Sequence, residues 1–361
     1  MNDQTDRACG ALMGAFVGDA LGLGCHWYYD LEALRRDFGP WISDYTTPRP
    51  GRYHEGLRAG ELSQAGLITR MLLESVTAHR AYDEADFTRR LDEDLFPRLD
   101  GTPHQGPGGY TSQSIREAYD LRVNHKRPWG EAGGHADTTE ALERALVLAV
   151  RYARSPRILA ETVWSNTVLT QTDETVVAMT VAFCAVLSQL VSGHPMDDDI
   201  SGRLLALVRS GELPFHAVSV ANSAPPKAGA PAASRMGRFA SPDALITPGY
   251  VAQAAADPGI RIEPAWKAAI VYGMPCAIYH VVPAAYYLAA RFPGDFESAV
   301  LHAINGGGQN QSRAMLTGAL VGAQVGLSGI PQRFIDGLVD GPALLDLCRR
   351  LAEDVPVPTG R

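Results

Sequence analysis

The segment NGGGQNQSRAMLTGALVGAQVG, residues 305–326, decides the fold of this 361-residue chain. Three consecutive glycines lead into polar side chains and then into an apolar run, which is typical of a ligand-binding corner at the start of a helix. Small residues recur at every fourth position of the run, at Ala314, Gly318, Gly322 and Gly326. Residues four apart share one side of a helix, so the pattern predicts a face against which another helix backbone can pack closely.

A matching stripe of small residues lies near the other end of the chain. Its members are Gly10, Gly14, Gly18 and Gly22. Each glycine inside a helix costs roughly 1 kcal/mol relative to alanine, and close contact between the two striped helices would offset that cost. Such contact would also bring Asp19 near Gln309. The alternative is that both stripes serve packing alone.

Helical periodicity dominates the rest of the sequence, and alternating strand patterns are almost absent, so we predict an all-α fold. The segment from Ala221 to Arg235 consists largely of alanine, proline, serine and glycine. It is predicted to be a mobile surface loop, with a lid as the alternative. The long apolar segment Thr175 to Val191 is interrupted by polar residues and is typical of a buried helix, not a membrane span.

The composition excludes several classes of protein. The formal net charge of -8 argues against nucleic acid as the main partner, because phosphate neutralisation needs a basic face. Five scattered cysteines without metal-type spacing indicate reduced core residues of a cytoplasmic protein. The sequence carries no signal for an oligomeric state.

Loops between the predicted helices carry side chains that could bind a ligand. His26, Trp27 and Tyr28 directly follow the first glycine-rich helix, and Tyr110 ends a loop rich in glycine and proline. The aromatic rings could stack on a purine or a nicotinamide-like ring, and His26 could reach a phosphate or a ribose hydroxyl. Core packing is the alternative for each aromatic ring.

Acidic side chains are candidates for catalysis, since carboxyl groups can donate and accept protons and can stabilise a positive charge. Asp19 lies on an apolar helix, so it is either paired or functional. Glu61 could be a general base, with an exposed loop position as the alternative. Asp173, followed by Glu174, begins a central helix, where capping is the stronger interpretation.

Five short motifs occur in order along the chain. They are Gly14 to Gly22 with Asp19, His26 to Asp30, Arg58 to Glu61, Gly273 with Cys276, and Gly307 to Asn310 with Arg313. Together they resemble the ADP-ribosylglycohydrolase family, and most closely the branch that includes the jellyfish J1 crystallins. The resemblance implies one compact multi-helix domain over residues 1–361, with an active site in a central cleft.

The resemblance also implies an activity and a site. Family members hydrolyse the bond from the anomeric carbon of ADP-ribose to an acceptor atom, generally with two magnesium ions held by aspartates. Substrate-binding positions fall on Gly307, Gly308, Gln309 and Asn310. Arg313 would hold a phosphate or, as the structural alternative, the loop itself.

This sequence departs from the family at the metal ligands. Gln309 and Gln311 stand where relatives have aspartates, and Leu67 falls at the expected early aspartate. A neutral amide cannot supply the negative charge that holds Mg²⁺ in water. We therefore expect no bound metal and no other cofactor.

Two functions remain open on the sequence alone. The first is a divergent glycosidic-bond hydrolase that acts on an ADP-ribosyl, NAD-derived or nucleoside-like small molecule without magnesium. The second is a non-catalytic member of the family that binds a nucleotide or has a crystallin-like structural role.

Overall fold

A computed structural model describes residues 3–215 and 243–355, which form sixteen α-helices. The first eight are α1 (Asp3–Leu23), α2 (Leu31–Phe38), α3 (Gln64–His79), α4 (Glu84–Arg90), α5 (Gln113–Tyr119), α6 (Glu140–Arg151), α7 (Pro156–Val168) and α8 (Glu174–Val191). The others are α9 (Ile200–Arg209), α10 (Asp243–Ala256), α11 (Ala268–Tyr272), α12 (Ile278–Arg291), α13 (Phe296–Asn305), α14 (Asn310–Val325), α15 (Gln332–Asp336) and α16 (Gly341–Glu353).

The prediction of an all-α fold is confirmed. Within the described ranges, β-type pairing is limited to an isolated bridge between Gly134 and Gln171. The predicted mobile loop from Ala221 to Arg235 lies outside the described residues.

The two glycine-striped helices form the centre of the molecule, as the sequence predicts. α1 and α14 run antiparallel and make the most extensive helix-to-helix contact in the described part of the chain. A Cβ atom added to Gly14 would lie 2.1 Å from the carbonyl oxygen of Gly318, and one added to Gly18 would lie 2.1 Å from that of Ala314. The absence of side chains at these positions therefore lets the two backbones touch.

Other helices surround this central pair. α6, α8, α12 and α13 pack against α14, while α3 and α16 pack against α1. The helix α8 is long and apolar enough to cross a membrane by length and composition, but 78% of that window is buried inside the protein. This burial is typical of a core helix. The arrangement brings the N-termini of α3, α6 and α14 towards one end of α1.

Candidate functional site

Two connected spaces lie where these helix ends meet. The outer cleft has a volume of about 810 Å³ and is lined by Trp27, Tyr29, Gly51, Arg52, Tyr53, Glu55, His104, Tyr110 and Cys276. The inner pocket has a volume of about 30 Å³ and is lined by His26, Trp27, His54, Ser63, Gln64, Ala65, Ile68, Tyr110, Ser112, Glu140, Glu143, Gln309, Gln311 and Ser312. Trp27 and Tyr110 belong to both spaces and form the wall between them.

Two carboxyl groups on α6, one fully buried and one partly buried, face the inner pocket. Glu140 and Glu143 lie three positions apart and therefore on the same side of the helix. Hydroxyl groups hold each of them: Ser114 Oγ donates to Glu140 Oε2 at 3.0 Å, and Thr139 Oγ1 donates to Glu143 Oε1 at 2.6 Å. The sequence interpretation missed this pair. The signal that could have found it is an acid at position 143 on the buried side of an otherwise apolar helix.

The two acids differ in their affinity for a proton. Burial, together with the neighbouring Glu140, raises the pKa of Glu143 to about 7. Burial also raises the pKa of Glu140, while hydrogen bonds from Thr138 and Ser114 oppose that rise. A pair of carboxyl groups whose environments hold different protonation states is suited to combined acid and base catalysis.

The structure places Asp19 beside the inner pocket but fully enclosed. Its side chain is 0% exposed and accepts hydrogen bonds from Ser63 N at 2.9 Å, from Ser63 Oγ, and from Gln311 Nε2 at 2.6 Å. Burial raises the pKa of Asp19 to about 6. Asp19 thus ties α1 to the start of α3 and to the first turn of α14. We assign it as a positioning residue.

Gln311 connects Asp19 with the acid pair. Its Nε2 group donates to Asp19 and also to Glu143 Oε2 at 3.4 Å. An aspartate at this position would offer only acceptors to two other carboxyl groups. The amide therefore stabilises a cluster of acids that a third carboxylate would repel.

A hydrogen-bonded pair of histidines forms another side of the inner pocket. His54 Nδ1 donates to the carbonyl oxygen of Gly108 at 2.7 Å, so its Nε2 accepts from His26 Nδ1 at 2.8 Å. Burial lowers the pKa of His26 well below its usual value and lowers that of His54 to about 4, so both rings are neutral at pH 7. Trp27 stacks on His26 and donates its indole N–H to Gln309 Oε1.

The glycine corner packs the chain instead of opening onto the pocket. Gly307 and Gly308 have φ values of 66° and 61°, and both are buried. Gly308 N donates to the carbonyl oxygen of Tyr28 at 2.8 Å, and Gln309 N donates to that of Met274 at 2.9 Å. These N–H groups are therefore used within the protein, and we reassign the two glycines from substrate binding to loop closure.

Two further residues of the corner, Arg313 and Asn310, have a structural role. Arg313 is 0% exposed and donates to the carbonyl oxygens of Ala303, at 3.0 and 2.8 Å, and of Gly307. Asn310 Nδ2 donates to the carbonyl oxygen of Cys25 at 3.0 Å. Both side chains hold backbone segments together, so neither is placed to receive a substrate phosphate.

Glu61 and Asp173 are also reassigned. Glu61 pairs with Arg58 at 3.5 Å, in a loop whose arginine is 76% exposed. Asp173 caps α8 by accepting from the backbone N–H groups of Thr175 and Val176 at 2.9 and 3.1 Å. Both acids therefore have partners close in sequence. This favours a loop position for Glu61 and helix capping for Asp173 over a catalytic role.

Tyr28 is buried away from both spaces. Its ring is 2% exposed, and its hydroxyl donates to Asp37 Oδ2 at 2.7 Å. The guanidinium carbon of Arg52 lies 3.6 Å from the centre of the ring. Tyr28 therefore packs behind Arg52, which lines the outer cleft, and does not line the cleft itself.

The positions where the resemblance expects magnesium-binding aspartates carry no carboxylate. At the early junction, Ser63, Gln64 and Ala65 line the inner pocket, whereas Leu67 packs against the hydrophobic core, which corrects the predicted register. Gln309 Oε1 accepts from Trp27. No group of three His, Cys, Asp or Glu residues in the described part of the chain could hold a metal ion. At these expected ligand positions, neutral amides and a hydroxyl do not supply the negative charge that holds Mg²⁺ in water.

Comparisons with known proteins agree with this architecture. The sequence model of the ADP-ribosylglycohydrolase family matches residues 1–360. A protein of Archaeoglobus fulgidus, described as uncharacterized, is 23% identical over 343 residues, which cover 95% of this chain and 94% of its own. A solved structure described as an ADP-ribosylglycohydrolase-related protein complex superposes with a TM-score of 0.63 at 20% identity, covering 99% of this chain and 100% of its own. At that identity, the structural likeness shows the fold alone.

Proposed function

Because this chain belongs to the ADP-ribosylglycohydrolase family, we propose that it is a glycosidic-bond hydrolase that cleaves a small ribosyl compound without magnesium. The observation that carries the proposal is the pair of acids that line the inner pocket, Glu140 and Glu143, behind an aromatic cleft. The family supplies the reaction class, and these acids supply groups that can perform it without a metal. A cytoplasmic location and a small-molecule partner are part of the proposal.

The different environments of the two acids suggest their roles. Glu143, with a pKa of about 7, is partly protonated at neutral pH and can donate a proton to the departing group. Glu140 accepts hydrogen bonds from two hydroxyl groups, which oppose the rise in its pKa on burial, and its carboxylate form can accept a proton from the attacking water. The oxygen of that water bonds to the anomeric carbon as the bond from that carbon to the leaving nitrogen or oxygen breaks.

Access to the acids requires a change at the wall of the inner pocket. A volume of about 30 Å³ holds water but not a ribose ring. Trp27 forms the wall, and its indole ring would have to move for the sugar to reach Glu140. The small pocket is also the observation that favours the second candidate, a non-catalytic protein that binds its ligand in the outer cleft only.

Hydrolysis assays on single amide variants test the proposal. Glu140→Gln and Glu143→Gln should each lower the rate of ribosyl release by roughly 100-fold or more, since each removes a proton-transfer group. The assay uses ADP-ribosyl, NAD and nucleoside substrates in the presence of EDTA. Glu61→Gln and Asp173→Asn are matched controls and should keep the full rate.

Two results would contradict the proposal. One is no ribosyl product from any of these substrates, with EDTA or with magnesium. The other is that both α6 variants release ribosyl product at the same rate as the parent protein. Ligand binding without turnover would support the non-catalytic candidate.

A further inference from the structure

We propose that the outer cleft selects ribosides of an aromatic base that carry no phosphate. This inference rests on the proposed function, because it names the substrate class of the same site. It departs from the pyrophosphate-bearing substrates that the family implies. Three features of the cleft carry it: the aromatic walls, the single arginine, which is already paired, and the acid at its rim.

The aromatic side chains of the outer cleft form a surface for a flat ring. The ring centres of Trp27 and Tyr110 lie 4.4 Å apart and those of Trp27 and Tyr53 lie 5.0 Å apart, all edge to face. Tyr53 also stacks on His104 at 5.4 Å and is 43% exposed, and Tyr29 is 51% exposed. Exposed rings that share one cleft are suited to stacking on a nucleobase or a nicotinamide ring.

The cleft has little to offer a phosphate. Within residues 3–215 and 243–355, Arg52 is the only arginine or lysine among the lining residues. Its Nη2 group donates to the carbonyl oxygen of Trp27 at 2.8 Å, and its guanidinium lies over the ring of Tyr28. These two contacts engage one N–H donor and one face of the guanidinium, so Arg52 is already held in place by the protein. A second arginine nearby, Arg116, donates to the carbonyl oxygen of Thr111.

Backbone N–H groups next to the site are used as well. The N–H groups of Gly308 and Gln309 donate to carbonyl oxygens of neighbouring loops. At the rim, Gly51 N donates to Glu55 Oε2 at 2.8 Å, where a phosphate oxygen could otherwise accept. The Glu55 carboxylate lines the cleft, so it repels a second anion. A neutral or cationic base meets no such repulsion.

Pairs of probes that differ by one phosphate test the inference. The pairs are adenosine with adenosine monophosphate, and nicotinamide riboside with nicotinamide mononucleotide, titrated calorimetrically against the full chain in EDTA. Each riboside should bind on the order of tenfold more tightly than its phosphorylated partner, because the phosphate meets a single arginine that is already engaged and is repelled by Glu55.

Two variants separate stacking from charge. Tyr53→Ala should lower the affinity for both members of a pair by about tenfold, since it removes only the stacking contact with the base. Glu55→Gln should increase the affinity for the phosphorylated member only, and so reduce the difference in affinity between the two members of a pair. Glu131→Gln, at an exposed site on another loop, is the matched control and should leave the difference unchanged.

The outcomes distinguish this inference from the proposed function. Equal or tighter binding of the phosphorylated members overturns it, and so does a failure of all four probes to bind. Cleavage of both members of a pair with equal kcat/KM overturns it while the hydrolase proposal stands. Selective binding of the ribosides without cleavage supports it and contradicts the hydrolase proposal.

Discussion

At the scale of single residues, this protein places three carboxyl groups in or beside one small pocket. Asp19, Glu140 and Glu143 are kept there by hydroxyl, amide and backbone donors, of which Gln311 serves two. A buried carboxylate without donors is costly, and mutual repulsion adds to the cost. The pKa of each of these acids is therefore raised in the folded protein.

Glu143→Gln should change the pH dependence of stability. The folded-state pKa of about 7 lies above the usual 4.5, so the free energy of unfolding falls as the pH rises between these values. The glutamine of the variant does not titrate, so its contribution to the free energy of unfolding does not change with pH. The stability of the variant relative to the parent should therefore rise by on the order of 2 kcal/mol between pH 5 and pH 8.

Urea denaturation at several pH values measures this difference. Glu131→Gln serves as the exposed control, for which we expect a constant difference. A difference between Glu143→Gln and the parent that does not change with pH would show that Glu143 titrates normally.

At the scale of elements, the contact between α1 and α14 sets the positions of the other parts of the site. The N-terminus of α14 carries Gln309 and Gln311, and the end of α1 carries Asp19 and leads to His26 and Trp27. Because the helix backbones touch, a small change in their spacing shifts these groups relative to one another. The glycines of α1 and α14 are therefore needed both for helix packing and for the relative positions of the site residues.

Gly318→Ala should destabilise the protein, since its Cβ would lie 2.1 Å from the carbonyl oxygen of Gly14. Separating the helices to relieve such a clash costs about 1–3 kcal/mol or more. Gly202→Ala in α9 is the matched control, because its Cβ would meet nothing within 4 Å. That change should raise stability by up to roughly 1 kcal/mol.

Thermal and urea unfolding of the two alanine variants provide the comparison. Equal stability of Gly318→Ala and the parent would mean that the two helices are not in backbone contact.

At the scale of the whole molecule, a family fold is kept around a site whose donor set has changed. The late corner and the start of α3 retain their positions at the inner pocket, but they present amides, a hydroxyl and a methyl group. The acids lie instead on α6. In this chain, the carboxyl groups that line the inner pocket are therefore supplied by α6 and not by the late corner or the start of α3.

Magnesium should leave the stability of the molecule unchanged. A site with micromolar affinity would stabilise the folded state by about 2.7 kcal/mol at a hundredfold excess of ion over Kd. We expect no such increase in the unfolding midpoint when EDTA is replaced by magnesium chloride, with sodium chloride of equal ionic strength as the control. A concentration-dependent rise with magnesium alone would contradict the assignment of the amides as non-ligands.

The sequence was sufficient for the fold but only partly for the site. The four-residue spacing of glycines predicts the α1–α14 contact because small residues on one helix face permit one type of packing. Glu140 and Glu143 escaped notice because a helix that begins with an acid is usually capped or exposed. Their burial depends on α3, α5 and α14 enclosing α6, which local sequence patterns do not specify. The same holds for the N–H groups of the glycine corner, whose carbonyl partners come from distant loops.

The pairing of α1 with α14 has a consequence for biosynthesis. Asp19 and its partner Gln311 are 292 positions apart, so α1 leaves the ribosome long before its partner helix is translated. At 5–20 residues per second, that delay is roughly 15 to 60 s. During this time the bare glycine face and the apolar side chains of α1 have no native cover, which makes the nascent chain a natural client for chaperones that hold exposed apolar helices.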